Sequence, residues 1–307
     1  MTTRFVPLRA LLAAAVLAQS APAAYADAAA VRRTWLERVA ITAADEACNL
    51  FSDGERLALL SGLYQAEGEL LRANESRAEM ARLATEVRAH AKSLGCVHPD
   101  VVSVAETVRS GYRAFVKTNY IEYPAAHSIW GASRSVHDRW AVSQTDKASF
   151  ITFGLRRAPA KPEEIRLAIA MPAKGAVPSS VQLIMRDPSK MPEPWFGAFS
   201  KPGPKLVAPP RSISRIEWAG KVASAKDAVG EPIWVFTFNA SAIPELEQLD
   251  PREAIMIELV PPSRIADQSV KRIVLEVGDL RAARAFAMIP EATGSPAAAT
   301  QTASAAH

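Results

Sequence analysis

Around Tyr123-Pro124 the spacing of the apolar residues changes, from every third or fourth position before it to every second position after it. Helices and strands need those two periods respectively, so no purely helical or purely β architecture satisfies the whole chain. Before the change, Val31, Trp35 and Val39 mark a first helix that finishes near Asn49. Ser52 followed by Glu55 is a capping-box pattern and opens a second, which carries Leu57, Leu60, Leu63, Tyr64, Leu70 and Leu71. Ser76 with Glu79 repeats the device for a third helix through Met80, Leu83, Val87 and Leu94, stopped by Gly95. Pro99 suits the first turn of a fourth, whose face is Val101, Val104, Val108, Tyr112 and Phe115. Short connections make neighbours antiparallel, which predicts an up-down-up-down four-helix bundle.

After the change come short apolar or alternating runs separated by Pro, Gly, Asp and Lys: 140–145, 149–156, 165–171, 180–185, 212–218, 233–239, 254–260 and 271–277. About eight strands with few helical crossovers point to an antiparallel β-sandwich or partly open barrel. Short helices are expected over 241–249 and 280–288. The fold class is therefore α+β in two domains: a helical bundle over 27–123, a connector over 124–140 and a β-domain over 141–289. Residues 290–307, "PEATGSPAAATQTASAAH", lack the apolar content for a core and read as a disordered tail.

The start of the chain sets the compartment. Arg4 and Arg9 precede an apolar run from Ala10 to Ala18, then Ser20, Pro22 and an Ala24-Tyr25-Ala26 site follow, the order of a cleaved secretory signal peptide over 1–26. The run is shorter than the roughly 20 residues a bilayer span needs, and no later stretch reaches that length, so the mature chain is expected to have no transmembrane segment. A periplasmic location is expected, with secretion as the alternative. In such a compartment the only two cysteines, Cys48 and Cys96, read as a structural disulfide, because the ends of the first and third helices point the same way in an up-down-up arrangement. Closing that loop stabilises by at most roughly 4 kcal/mol.

Charge narrows the partners. Residues 27–125 hold 12 Lys and Arg against 14 Asp and Glu, net −2, while 126–289 hold 22 against 17, net +5. The excess forms no basic run, so no nucleic-acid partner is expected.

Two stretches concentrate functional residue types. "AAHSIWGASRSVHDRW", 125–140, joins the two halves and holds His127, Trp130, His137 and Trp140. We read these as an interdomain joint. Ser128, Ser133, Ser135 and Asp138 complete the ingredients of a catalytic triad, but no motif frames a serine, and the histidine spacing predicts no metal centre. The second stretch is 187–210, with seven prolines in 24 residues. Its Trp195, Phe196 and Phe199, flanked by Lys190, Lys201 and Lys205, suit stacking on a sugar or holding an acidic or lipidic group, and Trp195, Phe196, Phe199 and Lys201 are the candidate ligand-binding residues. The competing reading is a lid that shields a sheet edge.

No HExxH, SxxK or glycine-rich phosphate signature is present. The expectation is an exported, non-enzymatic envelope protein, without cofactor or metal, that binds a partner protein or a glycan or lipid component through its β-domain. The alternative is a periplasmic hydrolase of such a component whose catalytic residues leave no motif. Intact-mass analysis of protein recovered from the producing cell's envelope should give a chain beginning at Asp27, and a mass that includes Met1 would contradict the export reading.

Overall fold

A computed structural model describes residues 28–158, 160–199, 201–262 and 269–290. The expected signal peptide and the tail beyond Pro290 lie outside these residues. Four helices come first: α1 (Ala28–Cys48), α2 (Asp53–Arg72), α3 (Arg77–Leu94) and α4 (Pro99–Phe115). Their ends are chemically defined. Asn49, at φ 52°, terminates α1. Ser52 and Glu55 make the reciprocal capping box of α2, the Ser52 N–H donating to Glu55 Oε2 at 2.8 Å. The Ser76 hydroxyl accepts from Glu79 N at the start of α3. Pro99 occupies the first turn of α4, and the His98 imidazole, through Nδ1, accepts from Asp100 N at 3.3 Å. The buried Asp45 carboxylate ties the α1–α2 turn by accepting from Phe51 N at 2.9 Å and Arg56 Nε at 2.6 Å. Cys48 and Cys96 form a disulfide with Cα atoms 5.5 Å apart. No described helix is long and apolar enough to cross a membrane.

Among the described residues eleven strands follow, all paired antiparallel: β1 (Tyr120–Pro124), β2 (Ile129–Ser133), β3 (Trp140–Asp146), β4 (Ile151–Ala158), β5 (Lys161–Pro172), β6 (Ser180–Arg186), β7 (Ser214–Trp218), β8 (Ala223–Lys226), β9 (Pro232–Thr237), β10 (Ala254–Val260) and β11 (Lys271–Glu276). One sheet has seven strands in the order β1-β2-β3-β4-β5-β9-β8, and the other has four in the order β11-β10-β6-β7. Two short helices, α5 (Ala242–Glu247) and α6 (Leu280–Ala287), flank the last strands. The fold class is therefore α+β, helices first and antiparallel sheets after.

Three strands exceed the eight expected. β1 and β2 form a hairpin inside the stretch read as helix end and connector, with Tyr123 opposite Trp130. Each is five residues long and interrupted by Pro124 or by polar residues, so the alternation is too brief to stand out locally, and pairing with each other and with β3 makes them strands. β8 is a four-residue edge strand on β9.

Leu155, Leu167 and Ile169 of the seven-stranded sheet pack in one cluster with Leu183, Ile257 and Leu275 of the four-stranded sheet. Ala58 of α2 belongs to the same cluster, and Tyr112 and Phe115 of α4 pack against it. The link is α6. Its sequence LRAARAFA presents small side chains on several faces, so both α2 and the β1–β3 edge can approach it closely. Phe286 is fully buried, with its ring centroid 5.4 Å from Phe115 and 6.5 Å from Tyr123.

Because helices and sheets share this cluster, replacing both cysteines by serine should lower the stability of one cooperative transition by roughly 2–4 kcal/mol. Circular dichroism at 222 nm and tryptophan fluorescence should report the same shifted midpoint, and an unshifted midpoint would show that the bridge contributes nothing to folding.

Candidate functional site

The 125–140 stretch is built around buried donors. Trp130 is fully buried and its Nε1 donates to the Val277 carbonyl at 2.8 Å. Below it, Gly278 holds φ +55° at a place where a Cβ would lie 2.9 Å from that indole nitrogen. The buried Arg134 guanidinium donates to the carbonyls of Val116, of Thr118 at 3.0 Å, of Ile289 at 3.3 Å and of Pro290. Arg157 likewise donates to Ser133 O at 3.1 Å and Ala287 O at 3.3 Å. Two guanidiniums thus satisfy carbonyls from the end of α4, the end of β2 and the end of α6.

The serines and Asp138 close a turn. Ser133 Oγ donates to Asp138 and accepts from Ser135 N at 3.2 Å, while Ser135 Oγ accepts from His137 N at 3.3 Å. The imidazole of His137 is exposed and does not lie between a hydroxyl and the carboxylate. Trp140 packs in a separate cluster with Ala168, Ala170 and Val235. Trp130 lies in the main apolar cluster, Trp140 packs against a second one, His127 lines a pocket and His137 is exposed. Among the described residues, no group of three His, Cys, Asp or Glu is placed to hold a metal ion.

The 187–210 loop is pinned at both ends. Arg186 and Glu253 form a buried pair, Nε to Oε1 at 2.6 Å and Nη2 to Oε2 at 3.1 Å. Burial pushes the Glu253 carboxyl up, against the pull of Arg186 and of the Trp195 N–H that donates to it at 2.7 Å. Trp195 Nε1 donates across the loop to Ala208 O at 3.2 Å, and Lys190 Nζ donates to Ser214 O at 2.7 Å. Phe196 is buried with the Arg252 guanidinium 5.1 Å from its ring centre. Phe199 is 71% exposed, and Lys201 is exposed beside it. The aromatics therefore divide: Trp195 and Phe196 fold inward, and Phe199 faces solvent.

Where they fold inward, the two candidate stretches meet. Trp195, Phe196 and His127 line one pocket of about 140 Å³, together with Arg72, Asn74, Lys205, Val207, Arg252 and Glu276. His127 is carried there by a turn that Glu276 organises, its carboxylate accepting from His127 N at 2.6 Å and Ala126 N at 3.3 Å. Burial pushes the Glu276 carboxyl up, and these N–H donors work in the opposite direction.

Arg72 is fixed by Asp279 through two parallel bonds of 2.8 Å. Burial works against the Arg72 charge, but Asp279, together with Glu69 and Glu276, holds the guanidinium above its ordinary value. Room for the pair comes from Gly68, where a Cβ would lie 2.1 Å from Asp279 Oδ1. Arg252 is held by Asp250, Nε to Oδ1 at 2.9 Å, and donates Nη1 to Leu71 O at 2.7 Å. By contrast, the side chains of Asn74, His127 and Lys205 make no hydrogen bond or ion pair among the described residues.

A larger groove of about 560 Å³ runs between α2, α5 and α6. Its basic groups are engaged: Arg284 with Glu247 at 2.8 Å, Arg77 with Asp250 at 3.0 Å, and Arg281 over the Tyr64 ring at 3.9 Å. In the smaller pocket, by contrast, the basic group of Lys205 has no such partner among the described residues. In the sequence Trp195, Phe196 and His127 stand out by residue type, whereas Arg72, Asn74 and Arg252 carry little local sign of facing a pocket. The single hint was Asn74, a residue type tolerant of the φ of 64° that stops α2 beside it.

Removing one partner of the Arg72–Asp279 pair leaves the other charge buried, so Arg72→Met should cost about 3–5 kcal/mol. Adding Asp279→Asn should recover part of that, and urea unfolding of both variants measures the difference. A single variant as stable as the parent would mean that the pair does not hold α6 to α2. No protein-family model, curated protein or solved structure matches this chain, so the meaning of the site rests on its own residues.

Proposed function

We propose that this is an exported, non-enzymatic envelope protein that uses its β-part, residues 141–289, to bind a partner protein or a glycan or lipid component. Residues 1–26 direct it to the periplasm and are removed there. The helical residues 27–123 act as a scaffold across the 124–140 connector, and the two sheets pack as an open sandwich, a reading supported by the single cluster that joins Leu167 and Ile169 to Leu183 and Ile257. The Cys48–Cys96 disulfide suits an oxidising compartment.

The observation that carries the binding role is the convergence of the loop aromatics Trp195 and Phe196 with His127, Arg72, Lys205 and Arg252 on one pocket, with Phe199 exposed nearby in sequence. Proline-limited loops lose little conformational freedom when they bind, so aromatics carried on one engage a partner at reduced entropic cost. Acid–base chemistry has less support, because the carboxylates around the pocket are already engaged: Asp279 by Arg72, Asp250 by Arg252, Glu253 by Arg186, and Glu276 by backbone N–H groups.

Phe199→Ala removes an exposed ring and should leave stability within about 0.5 kcal/mol. The same change combined with Lys205→Ala should reduce retention of the mature protein on the envelope fraction of its own cell by about tenfold or more. Undiminished retention by the stable double variant would remove the loop from the binding surface.

A further inference from the structure

We infer that the pocket between the end of α2, the 125–128 turn and the 187–210 loop takes a small oxyanion, a phosphate monoester or a carboxylate, carried as the charged tip of a larger molecule. This assignment rests on the binding role proposed above and names its ligand chemistry. The pocket is small, about 140 Å³, and Val207 on its lining is 42% exposed, so a charged tip can enter while the remainder of a larger molecule stays outside.

The polar lining is a set of donors. Arg72 gives one hydrogen bond from each terminal nitrogen to Asp279, which leaves its Nε–H and further Nη hydrogens unused. Lys205 is an ammonium with no acidic partner among the described residues, and Asn74 contributes an amide. His127 contributes an imidazole from a turn whose backbone is tied down, because the His127 N–H donates to Glu276. Those donors match what oxyanions accept, and hydrogen bonds that carry charge are the strong ones.

Most nearby negative groups are partnered, although Glu69 and Glu276 also act electrostatically on Arg72, and Glu276 on His127. Asp279 and Asp250 are neutralised by Arg72 and Arg252. The Glu276 side chain is buried and turned to the N–H groups of Ala126 and His127. The carbonyl of Leu71 at the end of α2 is covered by Arg252 Nη1. Lys205 is thus a charge of the pocket without an ion-pair partner among the described residues. Trp195 and Phe196 supply an apolar wall that excludes water on one side, where a charge–charge contact is screened less than on an open surface.

The test is isothermal titration of the mature chain at low ionic strength with glycerol 3-phosphate, and separately with glucuronate. Saturable binding of one or both is expected, weakening as sodium chloride is added, and the arm that saturates identifies phosphate or carboxylate as the group. Lys205→Glu should weaken it by about tenfold or more, and His127→Ala by a smaller factor. Lys147→Glu makes the same change in net charge on the exposed β3–β4 turn and should leave binding unchanged. Both Lys205 and His127 are exposed, so the variants should keep the parent thermal midpoint. Absence of saturation with either anion, or equal effects of Lys205→Glu and Lys147→Glu, overturns the assignment. Envelope retention without any anion response overturns the anion assignment while leaving the binding role in place. Anion binding without envelope retention supports the pocket and overturns the envelope role.

Discussion

A single buried ion pair sets how the two halves of this chain meet. Arg72 closes α2 and Asp279 immediately precedes α6, and their two bonds fix the helix end against the last β-to-α junction. Two charges removed from water gain little net stability from their attraction, but they tolerate few geometries. The packing around them obeys that requirement. Gly68 has no side chain to collide with Asp279, and Gly278 has none to collide with the Trp130 indole. Arg252 repeats the connection one step away, bonded to Asp250 and to the Leu71 carbonyl, while Arg77 of α3 reaches the same Asp250 at 3.0 Å. With α6 fixed, Phe286 is brought onto Phe115 and Tyr123, and the apolar cluster becomes continuous from the helices to both sheets.

The same pair explains where the cavities lie. Gly68, Leu71 and Asp279 line the larger groove, while Arg72, Asn74 and Glu276 line the smaller pocket, so the ion pair stands as the wall between them. On the groove side the arginines face Glu247, Asp250 and the Tyr64 ring. On the pocket side the loop aromatics provide a wall, and several donors have no acceptor among the described residues. A fold that must anchor buried guanidiniums with nearby carboxylates leaves their unused hydrogens pointing at whatever space remains, and that space becomes a binding site when apolar residues exclude water from it.

The loop over 187–210 illustrates how two readings of one composition can both have a structural counterpart. Trp195 and Phe196 cover the Glu253 and Arg252 region, as a lid does, through the Trp195 N–H bond to Glu253 and the contact of Phe196 with Arg252. Phe199 is turned outward. Proline content alone foretold irregular backbone, but the direction of each ring was set by the buried Arg186–Glu253 pair that the loop wraps around.

Local chemistry determined the helical half. Ser52, Ser76, Pro99 and Asn49 act within one turn of their own positions, so helix starts and stops could be read directly, and once the helices alternated in direction Cys48 and Cys96 had to come together. The change of period after Pro124 equally determined that strands follow, along with the strongest of them and the aromatic loop. Only the tertiary structure decided that 120–133 is a hairpin, that β5 pairs with β9 while β6 pairs with β10, and that Arg72 finds Asp279 across 207 positions. An arginine at the end of a helix looks the same in sequence whether it faces water or a buried carboxylate. The site is assembled from segments near 72, 127, 195–207, 252 and 276, and what joins them is burial and pairing at long range, which no local periodicity encodes.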